Sequence, residues 1–249
     1  MFLDPLNTLI NKKESIQGGI VMNYKQFRCM NIEERTNLEY ITYDSSGLYN
    51  FDFIFSGCNN LKVIKPKKLK MNSDVRSAEG MFWDCFSLQE LPNINYKQLV
   101  SMEKMLYNCT VLDKLPDTFN TENCVNLNKT FYNCHLLKSI SIDMTNVKEM
   151  DETFCNCKNL KCLLLYGDDT NFEGIIDLRS TSLCYTTLKT LFKHLPMAHK
   201  RCYLDLRGLR WTRRLTKEDL EVAKSKDWHV IIKEEDYECA TKDRGGFDL

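Results

Sequence analysis

The 249-residue chain reads as an α/β protein in which short parallel strands and helical turns stack copy upon copy, a solenoid closed by a cap at each end. Three observations predict it. A cysteine recurs at Cys58, Cys85, Cys109, Cys134 and Cys157, at intervals of 27, 24, 25 and 23 residues. A leucine follows each by three positions (Leu61, Leu88, Leu112, Leu137, Leu160), and Ile64, Leu91, Leu115, Ile140 or Leu163 follows by six. Upstream, Phe55, Phe82, Leu106, Phe131 and Phe154 precede the cysteines by three, with further apolar residues at minus seven and minus ten. Periods of this length mark stacked repeats.

Residues 1–47 precede the array. Leu6, Leu9 and Ile10 can start a helix, Gly18 and Gly19 break it, and Ile20–Met22 and Tyr40–Tyr43 have strand character. The segment is either an N-terminal cap covering the first copy or a docking element for a partner.

Residues 48–165 hold the five copies. Taking each cysteine as position zero, apolar residues at −10, −7, −3 and 0 step by three or four, which predicts one stripe of a short helical turn. The leucine at +3 and the aliphatic at +6, often followed by proline (Pro66, Pro92, Pro116), fit a brief strand. Strands are therefore predicted at 62–65, 89–92, 113–116, 138–141 and 161–165. A unit this small buries both faces only by stacking, and the result is a leucine-rich-repeat solenoid. The residues between the two strand leucines point away from the core and form a concave face, whose candidate partner-binding row is Lys62, Gln89, Glu90, Asp113, Lys114, Lys138 and Lys161. Lys65, Lys67, Lys68 and Lys70 make a basic bulge between copies one and two, read as a solvated loop.

Residues 166–232 form a C-terminal repeat and cap. Ile175–Arg179 and Tyr203–Arg207 are one strand written twice, 28 residues apart. Between them a helix from about Ser182 to His194 carries Leu183, Leu188, Leu191 and Phe192 on one face. Thr216 with Asp219 three residues on caps a second helix, and Trp228–Ile232 is a last strand. Residues 233–249 read as a polar tail, mobile or ordered by a partner.

Five of the twelve cysteines are accounted for as a buried ladder of small apolar side chains, free thiols because five equivalent positions cannot all pair. Cys155, Cys157 and Cys162 lie close in sequence but lack a fourth ligand nearby, so no metal site is expected. With 34 basic and 34 acidic residues the net charge is zero, which removes a global field for nucleic acid or anionic membrane. No run approaches the eighteen apolar residues of a membrane span. The N-terminus carries no basic leader, so cytoplasmic synthesis without a signal peptide is expected. No P-loop, H-E-x-x-H, G-x-S-x-G or dinucleotide fingerprint occurs, and His135, His194, His199 and His229 are scattered. His135 beside Cys134 is a surface residue next to a core one, not a dyad. No catalytic residue and no cofactor are expected.

The motifs Met81-Phe82-x-x-Cys85-x-x-Leu88-x-x-Leu91-Pro92, Thr130-Phe131-x-x-Cys134-x-x-Leu137 and Thr153-Phe154-x-x-Cys157-x-x-Leu160 resemble the BspA-like leucine-rich repeats of bacterial surface proteins and of bacteriophages of gut bacteria. Leu204-Asp205-Leu206, Leu215-Thr216 and Ala223-x-x-Lys226-x-Trp228 resemble the segment that closes such arrays in phage proteins, so the resemblance covers about residues 48–232. It implies a non-enzymatic scaffold that binds protein. Leu106 departs from the phenylalanine of its position, and the near-identical phrases of long surface arrays are missing, which favours a virion component contacting other virion subunits. The alternative is an adhesin or effector that binds a host protein or glycan through the same face.

Overall fold

The computed structural model describes residues 20–23, 30–44, 50–65 and 72–243. The expectations for Leu6, Leu9, Ile10, Gly18, Gly19, Lys67, Lys68 and Lys70 and for residues 244–249 lie outside them. The architecture is mixed α/β with short parallel strands, and no sheet among the described residues closes into a barrel. Strands β1 (Ile20–Asn23), β2 (Tyr40–Asp44) and β3 (Val63–Lys65) pair in that order, with helix α1 (Ile32–Thr36) between the first two. Asn31 and Glu34 close a capping box at the start of α1. Strands β4 (Ser139–Asp143) and β5 (Cys162–Tyr166) pair in parallel, as do the two-residue strands β6 (Asp169–Thr170) and β8 (Met197–Ala198). At the C-terminal end β10 (Trp228–Ile231), β9 (Cys202–Asp205) and β7 (Gly174–Asp177) form a sheet in that order. Helix α2 (Tyr185–His194) buries Leu188, Leu191 and Phe192, and helix α3 (Lys217–Lys224) starts at a Thr216–Asp219 capping box. One hydrophobic core runs from Met30 to Trp228.

The helical turn expected before each cysteine is a different structure. Residues at −5 and −1 have positive φ in every copy: Phe53 and Gly57, Gly80 and Asp84, Lys104 and Asn108, Lys129 and Asn133, Glu152 and Asn156. A left-handed residue every fourth position converts a would-be helix into successive tight turns. Position −1 is always Gly, Asp or Asn, the residues that adopt this conformation at least cost.

The turns have a second consequence. An α-helix would keep its N–H groups within the copy, whereas here alternate ones leave it. In copy three, Met102, Lys104, Leu106 and Asn108 donate to the carbonyls of Asn126, Asn128, Thr130 and Tyr132 in copy four, at 2.8 to 3.0 Å. Met105, Tyr107 and Cys109 bond back within their own copy at 3.0 to 3.1 Å. The apolar stripe still faces inward, because −10, −7, −3 and 0 are all turned from solvent in the described copies. Position −4 joins them, filled by Ile54, Met81, Met105, Thr130 and Thr153. The two threonines are satisfied there: Thr130 Oγ1 donates to the Met102 and Leu127 carbonyls, both at 2.8 Å.

The strand side differs from expectation in the middle of the array. β3, β4 and β5 fall at 62–65, 138–141 and 161–165 to within two residues. Segments 89–92 and 113–116, expected to be strands, form no ladder. Pro92 and Pro116 remove an N–H from each. The polar tail is also corrected in part: Glu234–Asp243 form helix α4, which buries Ala240 against Tyr203 and Ile231. Arg207 lies 3.9 Å from the Tyr237 ring, so a cation–π contact holds the helix to the last sheet.

Candidate functional site: the interrupted strand face

The ladder cysteines are structural. Each thiol from the second copy onward donates to the −3 carbonyl of the preceding copy: Cys85 to Phe55, Cys109 to Phe82, Cys134 to Leu106 and Cys157 to Phe131, at 3.1 to 3.3 Å. All five are free and buried. Burial pushes Cys58 and Cys157 up to about 12 and the three between them well above the usual thiol range, so they stay protonated and unreactive. Beside them the −1 side chains form an amide ladder: Asn108 Nδ2 donates to Asp84 at 2.6 Å, Asn133 to Asn108 at 2.6 Å and Asn156 to Asn133 at 2.8 Å.

A chemically different thiol stands outside the array. Cys184, at the N-terminus of α2, is lowered to about 7 by hydrogen bonds with the Thr186 and Thr187 hydroxyls. Its neighbours Thr186 and Thr187 were the available signal in the sequence.

The candidate row lies at the surface, and its members have different neighbours. Lys62 pairs with Glu39 at 2.8 Å and Lys138 with Asp113 at 2.8 Å. The hydrogen bond from Lys138 holds the Asp113 carboxyl below the usual range. Gln89 and Lys161 are exposed and are not drawn into these pairs. Glu90 and Lys114 do come together, as opposite walls of a cleft of about 370 Å³ shared with Leu91, Asn93, Leu115, Pro116 and Asp117. A second cleft of about 250 Å³ lies across the same segment, between 114–117, Phe119 and Ser139–Ser141. The first opens where the expected strands of copies two and three fail to pair, the second between the segment of copy three and β4.

Three large apolar side chains flank this region. Phe86, Val111 and Leu136, at +1 or +2 of consecutive copies, are 39, 38 and 43 % exposed. Sequence reasoning assigned them no role, although their place just outside the leucine register marks them as surface residues. It also passed over Asn93, Asp117 and Ser141, and read Pro116 only as a strand terminator.

A repeat protein with short parallel strands and a mixed-charge face broken at its centre is the class that these features define. Residues 25–119 and 49–166 match the family described as "Mycoplasma protein of unknown function, DUF285". The two stretches together span more than half of the chain, and the chain belongs to that family. Membership is consistent with the BspA-like character of the repeat. The matches begin 24 residues apart, the interval between Cys85 and Cys109, so the family pattern fits this chain in two registers. A comparison with curated proteins finds no match. No helix among the described residues is long and apolar enough to cross a membrane.

Proposed function

We propose that the chain is a non-enzymatic leucine-rich-repeat solenoid that binds a protein partner on its strand face. The observation that carries this is the pair of clefts on either side of residues 114–117, which take in Glu90 and Lys114 of the charged row, with the exposed Phe86, Val111 and Leu136 a few positions earlier in the same copies. An apolar patch with a polar, charged surround is the composition of a protein-binding surface. The charges there are largely matched against one another, Lys62 with Glu39 and Lys138 with Asp113, which suits orientation of a partner more than acid–base chemistry.

Capture of partners from the native source by the purified chain tests this. Glu90→Lys with Lys114→Glu, and separately Leu136→Asp, are expected to abolish a capture that Lys158→Glu leaves intact. Unchanged capture by all three variants refutes a role for the strand face.

A place in a bacteriophage particle is the finer form of the proposal, supported by the resemblance of residues 204–228 to phage closing segments. The family description, a Mycoplasma protein, supports the other form, a bacterial adhesin or effector using the same face. Mass spectrometry of purified particles separates the two: peptides of this chain in particles favour the first, and their restriction to bacterial cells the second.

A further inference from the structure

The junction between copies two and three lacks a bond that its neighbours make. At position +4 the backbone N–H of one copy donates to the +4 carbonyl of the copy before. Gln89 donates to Lys62 at 3.0 Å, Lys138 to Asp113 at 3.3 Å and Lys161 to Lys138 at 2.9 Å, while Lys62 continues the series to Glu39 at 2.8 Å. Among the described residues only the rung from Asp113 to Gln89 is absent from this series. Among the described residues the Asp113 N–H makes no backbone hydrogen bond, and no donor reaches the Gln89 carbonyl.

The opening is local. On the turn side of the same junction Ala78, Gly80, Phe82 and Asp84 donate to Ser101, Glu103, Met105 and Tyr107 at 2.8 to 3.1 Å. The two segments are also pinned at both ends of the gap, by Thr110 Oγ1 to the Phe86 carbonyl and by Thr118 Oγ1 to Asn93 Oδ1, each at 3.1 Å. Between the pins lies the cleft of about 370 Å³, with Leu91 and Leu115 in its lining and Glu90, Lys114 and Asp117 supplying charge. The backbone N–H groups of Lys114 and Leu115 also lack a hydrogen bond among the described residues.

We infer that this junction receives a short extended segment of a partner polypeptide, whose main chain completes the rung that copies two and three leave open. An extended chain presents N–H and C=O groups along its edge, the complement of walls that carry an unmet carbonyl and unmet amides. Its side chains then alternate between the leucines below and the charged residues above. The inference rests on the proposed use of the strand face and adds main-chain recognition to it.

Linear peptides selected from a displayed random library on the full chain are the probe. A synthetic peptide so obtained is expected to slow amide hydrogen exchange at Asp113 and Leu115. Methylation of one of its backbone nitrogens is expected to weaken binding about tenfold with every side chain kept, as loss of one well-made hydrogen bond does. Unchanged exchange at both amides, or an N-methyl scan that is flat along the peptide, overturns the inference. A flat scan combined with sensitivity to Glu90→Lys and Lys114→Glu removes main-chain recognition and leaves the face as the site. Slowed exchange at Asp113 in the chain alone, rising with its concentration, places a second copy in the cleft and also overturns it.

Discussion

The two long sides of the array solve the same stacking problem with different materials. On the turn side the junctions from copy two onward repeat one set of four backbone rungs, of which the first junction makes three, reinforced by thiol-to-carbonyl bonds and an amide ladder. On the strand side, among the described residues, β4 and β5 form a five-residue ladder, while no backbone rung joins copies two and three. Leucine-rich order in the sequence thus does not require a continuous sheet. The turns hold the copies in register, and the strand side is left free to depart from regularity.

Alkaline pH gives the largest expected effect and acts on the turn side. The ladder thiols are raised in the folded state, Cys58 and Cys157 to about 12, while an unfolded thiol titrates near 9. Above pH 9 the unfolded chain therefore binds fewer protons than the folded one. Stability is full below that pH and falls toward pH 12, by up to about 1.4 kcal/mol per pH unit for each thiol. A denaturation midpoint that is flat from pH 8 to 11 would contradict a buried, protonated ladder.

Phe131→Ala should cost about 3–5 kcal/mol, since its ring is fully buried and stacks on Phe154 at 6.1 Å. Chemical denaturation measures this directly. Asn133→Ala removes the centre of the amide ladder and places alanine at φ 59, for an expected loss of about 1–3 kcal/mol. Asn133→Gly keeps the conformation and should recover part of it. If glycine is no better than alanine, backbone strain has no share in the loss.

Lys138→Ala, on the strand side, should change stability by about 0–1 kcal/mol, because its pair with Asp113 is exposed on both sides. A cost comparable with that of Asn133→Ala would erase the distinction between the two sides. Mild alkylation near neutral pH should label Cys184 first, Cys162 and Cys239 more slowly and the five ladder thiols not at all, as peptide mass mapping would show.

Much of this was legible from spacing alone. The positions that face inward follow from the recurrence of Cys, Leu and Phe, and β3, β4, β5 and helices α2 and α3 fall where periodicity and capping residues put them. The turn conformation was misread because a step of three or four residues is common to a helix and to a run of tight turns. The distinguishing residues were Gly57, Asp84, Asn108, Asn133 and Asn156, whose tolerance of positive φ carries more information than the apolar stripe. The clefts were not legible, because the first depends on a rung between copies two and three that fails to form and both on segments that make no ladder. Pro92 and Pro116 hinted at it, yet the same proline signal at Pro66 follows a strand that does pair.

The constancy of the turn-side rungs makes the copies interchangeable parts. A copy inserted or deleted in frame would meet its neighbours through the same donors at −7, −5, −3 and −1 and the same acceptors at −8, −6, −4 and −2. From copy two onward, such a change would lengthen or shorten the molecule by one strand spacing, about 4.8 Å, with no new interface to invent. The reach between the two ends is accordingly a quantity that gene duplication can adjust in discrete steps.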